Sequence, residues 1–227
     1  TFSLFSQKQT VKAGYLFQVK DRIYNSRPFS AQMNGFNQNI LTQSFETIFN
    51  PENFGTNAGQ FSFNEISGNQ YRYIANTILN SGYLQFDNNF TPWLRAIWGL
   101  RIENFNQLVG STKMSDNRFV NSEVTDYMPA ANFTFKLNNK MNLRLAGSQT
   151  VVRPEFRELS PVAYYDFDLG ATVVGNKELQ RTKITSADLR WEFYPRNGEL
   201  ISVAAFYKNF KNPIELYFNQ SGAGTSN

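Results

Sequence analysis

The sequence has no cysteine and no histidine. Without Cys there is no disulfide framework, thiolate metal site or cysteine nucleophile. Without His the commonest general base and metal ligand is missing, which removes a Ser-His-Asp triad and a His-ligated zinc. Charge of one sign is scarce too: 22 Lys and Arg against 18 Asp and Glu leave +4, too mild and too dispersed to argue for nucleic acid. No apolar run reaches the ~18 residues that mark a transmembrane helix. The opening Thr1-Phe2-Ser3-Leu4-Phe5 shows no basic stretch ahead of an apolar one, and no initiator Met, so it reads as processed or as an interior piece of a longer protein. What is abundant is aromatic: 22 Phe, 11 Tyr and 3 Trp make up 16% of the 227 residues. A chain with these gaps is a poor candidate for an ordinary soluble enzyme. We assign it no catalytic residue, no metal site and no cofactor.

The repeating signal is period two, the period of a β-strand. Val11, Ala13, Tyr15, Phe17 and Val19 alternate with Lys12, Gln18 and Lys20. Leu94, Ala96, Trp98, Leu100 and Ile102 alternate with Arg95, Gly99, Arg101 and Glu103. The same pattern recurs around Leu84–Phe86, Ala131–Leu137, Leu143–Val151, Ala187–Phe193 and Ile201–Tyr207, giving seven strands, with a partial eighth at Thr1–Phe5. Within these windows the polar faces carry Lys12, Lys20, Asp87, Arg95, Arg101, Glu103, Lys136, Arg144, Asp188, Arg190, Glu192 and Lys208, and the apolar faces carry no charge. Leu16, Ile97 and Phe206 on polar faces and Gln149 on an apolar one break the rule.

Connections alternate in length. Short turns are expected near Ser6–Thr10, Asn88–Pro92, Leu137–Lys140 and Tyr194–Glu199, the last two around Asn138-Asn139 and Asn197-Gly198, residues that favour tight hairpins. Long connections are expected over about 25–77, 107–123, 154–179 and 211–227. This order puts all short turns at one end of the sheet and all long loops at the other, the pattern of outer-membrane barrels. Strands of roughly ten residues suffice to cross a bilayer, for which about 9–11 tilted residues are needed. A Lys or Arg facing lipid costs about 2–4 kcal/mol at the midplane, so lipid would enforce the observed sorting of charge. A β-sandwich core would exclude charge as well, so a secreted sandwich that binds glycans through loop aromatics stays open beside the barrel. Seven or eight strands would close into a narrow barrel packed with side chains. The long charged residues on the polar faces, and the length of the loops, fit a segment of a larger, wide-lumen barrel better. The expected fold class is therefore all-β: an antiparallel up-and-down transmembrane β-barrel segment over residues 1–227.

Particular residues carry a family resemblance. Tyr127-Met-Pro-Ala-Ala-Asn-Phe-Thr-Phe, the Val152-Arg153-Pro154-Glu155-Phe156-Arg157-Glu158-Leu159 segment, Tyr164-Tyr165-Asp166-Phe167, Asp188-Leu189-Arg190-Trp191-Glu192 and Phe206-Tyr207-Lys208-Asn209-Phe210 resemble the barrel of TonB-dependent outer-membrane receptors of the type common in Bacteroidota. Gly82–Asp87 and Trp98–Glu103 are similar to a strand pair of the same family. The resemblance implies a barrel of about 22 strands, filled by a plug. It also implies a TonB box, energy from the inner-membrane proton gradient, and uptake of a scarce ligand. Neither plug nor TonB box is seen in these residues, so TonB would act through a plug elsewhere in the parent protein. Outer-membrane lipid and a surface lipoprotein are the other expected partners. A passive porin-like or structural barrel is the competing membrane reading.

Arg95, Arg101, Glu103, Lys136, Arg144, Asp188, Arg190 and Glu192 are expected to face the lumen, mostly in ion-pair networks. Arg153, Pro154, Glu155 and Phe156 are expected at the base of a loop, where Pro154 stops the strand and the charges fix the transition. Asp166 and Asp168 flank Phe167 in a solvated loop, without the closing Glu of a calcium-binding run. Phe45, Phe49, Phe54, Phe61, Phe63, Tyr71 and Tyr73 are expected to give loop 25–77 a small core of its own.

Overall fold

A computed structural model describes residues 2–4, 7–68, 71–111, 115, 119–160 and 162–217. The Ser/Gly/Asn-rich stretch after 217 lies outside them. In chain order the elements are β1 (Phe2–Leu4), β2 (Gln7–Asn25), β3 (Phe29–Met33), α1 (Gln38–Leu41), α2 (Phe45–Ile48), a 3-10 turn (Pro51–Asn53), β4 (Phe61–Glu65), β5 (Arg72–Thr91), β6 (Leu94–Gly110), β7 (Val120–Asn138), β8 (Met141–Val152), α3 (Phe156–Leu159), β9 (Ala163–Asp166), β10 (Ala171–Val174), β11 (Thr182–Phe193) and β12 (Ile201–Lys211). One antiparallel sheet of eight strands dominates, in the order β1-β2-β5-β6-β7-β8-β11-β12. Two hairpins, β3–β4 and β9–β10, stand apart within the long connections.

The register aligns the alternations into continuous rows. Val11, Phe86, Trp98, Ala131, Gly147, Ala187 and Tyr207 lie side by side across seven strands. The next row, on the opposite face, is Lys12, Gln85, Gly99, Ala130, Ser148, Ser186 and Lys208. Carried across the sheet, this parity puts all twelve charges named above on one face, with Leu16, Ile97 and Phe206 among them. The other face is an apolar band, and no second sheet covers it among the described residues: Leu100 and Leu189 stay 39% and 45% exposed. Aromatic pairs gather toward the short-turn end of that band, with Phe86 stacked on Trp98 at 4.5 Å and Trp191 on Phe193 at 6.0 Å. The Trp98 ring sits in the band while its Nε1 donates to Asn88 Oδ1 at 2.9 Å, which suits an interfacial position.

The short turns close on local chemistry. Asn138 Oδ1 accepts from the Lys140 amide at 2.8 Å, and Thr91 Oγ1 from the Leu94 amide at 3.0 Å. Gly198 supplies the positive φ of +85° in the turn before β12.

The strands run further than the alternation predicts. β2, β5, β6 and β7 are 19, 20, 17 and 19 residues long, so the connections between them shrink to 26–71 and 111–119. The reason is visible on the outward face, where Asp21, Asn76, Asn80, Asn104 and Glu123 replace apolar residues toward the long-loop end. Ladder hydrogen bonding continues there although the apolar signal has stopped. Among the described residues both outer edges are open: β12 pairs only with β11, and β2 meets β1 only over Gln7–Gln9.

Candidate functional site

The charged face becomes a site where the connection between β8 and β11 returns to it. Register pairing sets Glu103 of β6 directly opposite Asp126 of β7. Two carboxylates in that relation repel each other, and both are buried, with side chains 6% and 2% exposed. Arg153, the first residue after β8, lies between them. Its Nη1 is 2.6 Å from Glu103 Oε2 and its Nη2 is 3.0 Å from Asp126 Oδ2. The guanidinium also lies 4.5 Å from the centre of the Phe105 ring, a cation–π contact on the same face. Arg101 Nη2 holds the other oxygen of Glu103 at 2.6 Å and its Nε donates to Ser81 Oγ at 3.0 Å. Arg181, the last residue before β11, puts Nε 2.6 Å from the other oxygen of Asp126. The two ends of the 153–181 connection thus converge on one carboxylate, and the charges alternate in the order Arg101, Glu103, Arg153, Asp126, Arg181.

From this anchor the chain folds onto the sheet. Pro154 cannot continue a ladder, and its carbonyl accepts from Gln107 Nε2 at 2.9 Å. Glu155 begins α3, and its amide donates to Glu158 Oε2 at 2.7 Å, half of a capping box. That turn aims Phe156 and Leu159 at the sheet, where with Val162 they pack on Tyr73, Ala75 and Val109. Burying these three apolar side chains contributes about 1.5–3 kcal/mol each. The Arg22 guanidinium of β2 lies 5.6 Å over the Phe156 ring, and Arg157 lies 3.8 Å over Tyr164. The return limb crosses α3 so closely that a Cβ on Gly175 would strike the carbonyl oxygens of Ser160, Glu158 and Arg157. The Asn176 amide donates to Glu158 O there, at 2.6 Å.

The remaining predicted residues form smaller groups on the same face. Arg144 and Arg190 reach Glu192 at 3.0 and 3.6 Å, and Tyr194 donates its hydroxyl to the same carboxylate at 3.1 Å. Arg95 forms a two-pronged pair with Asp87 at 2.9 and 2.8 Å. Lys136 and Asp188 share the face but join no ion pair among the described residues. Asp166 serves its own turn, its Oδ1 accepting from the Asp168 and Leu169 amides at 3.0 and 3.2 Å. No group of three or more acidic residues suited to a metal ion occurs among the described residues.

Asp126 and Arg181 were not among the predicted residues. Asp126 has the parity of Lys136 along β7 and lies just beyond the window in which alternation is clear, so parity extended by a few residues would have found it. Arg181 carries no such mark.

The connection between β2 and β5 behaves differently. Hairpin β3–β4 and the short helices build a ladder of rings: Phe29 on Phe63 at 5.1 Å, Phe54 within 6.0 Å of Phe49, Phe61 and Phe63, and Phe45 on Phe49 at 6.2 Å. Arg27 closes it by pairing with Glu65 at 3.0 and 2.8 Å. The Glu65 hydrogen bond holds the Arg27 pKa above its ordinary value, and the same bond holds the Glu65 carboxyl below its own. Of the rings expected to form a small core, Phe45, Phe49, Phe54, Phe61 and Phe63 pack on one another, with Phe61 alone of the five buried; Tyr71 joins no ring pair among the described residues, and Tyr73 belongs to β5 and packs with α3 instead.

Against known families, the model described as an outer membrane protein beta-barrel family matches residues 41–226. A search of curated proteins finds no match.

Proposed function

The chain belongs to the outer membrane protein beta-barrel family and lies in the outer membrane, and from that premise we propose that it forms part of the wall and extracellular gate of a TonB-dependent transporter. The observation that carries this reading is the stapled loop: Arg153, Pro154, Glu155 and Phe156, the most specific part of the resemblance to TonB-dependent receptors, are the residues that pin the 153–181 connection onto the charged face. In an outer-membrane barrel that face lines the lumen, so the pinned loop narrows the passage at its outer mouth. The open edges support a larger barrel. Unpaired backbone groups in hydrocarbon cost several kcal/mol each, so β12 and most of β2 must find further strands. In this reading those strands and a plug come from the parent protein, the plug engages TonB, and the proton gradient drives uptake of a scarce ligand. A surface lipoprotein is a further proposed partner. The role is transport and not catalysis.

A passive channel is the second reading, since a loop folded against the wall also suits a constriction. Conductance separates the two. The full-length protein in a planar bilayer is expected to show no steady current, because a plug fills its lumen. A steady open-channel current that small neutral sugars reduce would overturn the proposal in favour of the passive channel.

A further inference from the structure

At the long-loop end of the outward face the two sides of the sheet differ. Over β2, β5, β6 and β7 the rows above the apolar band carry acids that amides satisfy: Asn76 Nδ2 donates to Asp21 Oδ1, and Asn104 Nδ2 to Glu123 Oε1 at 3.1 Å. Over β11 and β12 the corresponding rows place Thr185 opposite Asn209, and Lys183 directly opposite Lys211. Two like charges in that relation repel. Both lysines are exposed, and neither joins an ion pair among the described residues. Val151 is the neighbour of Lys183 on β8 and brings no counter-charge.

These lysines edge a recess of about 250 Å3 that Tyr127, Gln149, Thr185 and Asn209 also line. Every one of these four side chains has the outward parity and ends in a hydrogen-bonding group. Asp126 lines the recess as well, but its carboxylate belongs to the opposite face and is engaged by Arg153 and Arg181. The recess is therefore cationic and rich in donors. Directly below it come Ala187 and Leu189 of β11 and Val203 and Ala205 of β12, outward-facing and uncharged, with Leu189 and Val203 45% and 64% exposed.

We infer that this recess binds the phosphate-bearing headgroup of an outer-leaflet lipid. A phosphate between Lys183 and Lys211 converts their repulsion into two charge-assisted contacts, and its acyl chains continue over the apolar rows beneath. A free phosphate would use the lysines but not those rows. The long-loop end of an outer-membrane barrel faces outward, so the outer leaflet supplies the ligand. One Lys near a lipid surface is worth about fivefold in affinity, and the pair on the order of twentyfold to thirtyfold.

Native mass spectrometry of the full-length protein in detergent tests this with three probes: phosphorylated lipid A, the same lipid after enzymatic removal of its phosphates, and inorganic phosphate. The wild type is expected to retain phosphorylated lipid A and to lose at least tenfold in retention when the lipid is dephosphorylated. The Lys183→Ala/Lys211→Ala double variant should lose about as much with the intact lipid, and Lys183→Arg/Lys211→Arg should restore it. Lys12→Ala/Lys20→Ala, which removes as much charge from the opposite face, should bind like wild type. A gel shift between heated and unheated samples confirms that each variant is folded. Equal retention of both lipids, equal retention by the double Ala variant, or inorganic phosphate competing at concentrations comparable to the lipid would each overturn the inference.

Discussion

Residues 26–71 and 153–181 are both long, aromatic connections at the same end of the sheet, yet they are held by opposite means. The first keeps its order to itself: Phe54 and its neighbouring rings stack within the loop, and the Arg27–Glu65 pair that closes it is exposed. The second has almost no core of its own and is tied to the wall, by Phe156 and Leu159 on the sheet and by two arginines on Asp126. A loop with its own core can shift as a body without disturbing the barrel. A loop anchored to the wall through buried charges can move only by stripping those charges of their counter-charges. Length and composition alone would class the two together; the identity of their partners separates them, and only the second is pinned to the charged face of the sheet.

The largest test of this contrast is Arg153→Leu. It leaves Glu103 and Asp126 facing each other, buried, with Arg101 and Arg181 on their outer sides only. Losing one partner of a buried ion pair costs about 3–5 kcal/mol. Hydrogen exchange over 156–179 should rise toward that of an unfolded segment, while exchange over 29–65 stays unchanged. Exchange unchanged over 156–179 would mean that the apolar contacts of α3 suffice and the staple is incidental.

Phe156→Ala and Phe54→Ala sharpen the comparison with a smaller effect. Phe156 is buried against β5 and β6, so truncation should cost about 3 kcal/mol and should loosen Tyr73 and Val109 with it. Phe54 is half-buried and its ring packs on Phe49, Phe61 and Phe63 of its own loop, so its loss should cost about half as much. That loss should remain inside 29–65, leaving β5 and β6 protected. A Phe54→Ala effect that reached β5 would contradict the independence of the first loop.

These differences set the limits of what the chain discloses before folding. The sorting of charge is legible because lipid imposes it residue by residue: each of the twelve charged positions named from alternation takes the same face. The true length of β2, β5, β6 and β7 is not, because Asp21, Asn80 and Glu123 stand where the strand has left the hydrocarbon and no medium enforces a period. The loop base at Arg153–Phe156 is legible through Pro154 and through family resemblance. Its partners are not: Arg153 reaches 27 residues back to Asp126, and Arg181 reaches 55. Those pairings depend on how the loop returns, which packing of Phe156 and the close approach at Gly175 decide.

The smallest effect belongs to the exposed pair that closes the first loop, and pH reads it. The hydrogen bond from Arg27, opposed by desolvation and aided by the charge of the same arginine, keeps the folded Glu65 carboxyl below its ordinary value of 4.5. A carboxyl whose folded pKa is depressed stabilises the folded loop fully above the ordinary value, and that contribution fades as pH falls through the folded one. Arg27 stays charged throughout this range, so the transition is that of Glu65 alone. Exchange protection over 61–65, corrected for the intrinsic pH dependence of amide exchange, should therefore be flat from neutral pH down to about the ordinary carboxyl value and decline below it. In Glu65→Gln, which cannot ionise, that step should vanish, and the two proteins should converge at the acid end. A step of equal size in Glu65→Gln would show that some other group titrates in the loop. A matching change over 156–179 in the same titration, present in the wild type and absent in Glu65→Gln, would couple the two loops and dissolve the distinction between them.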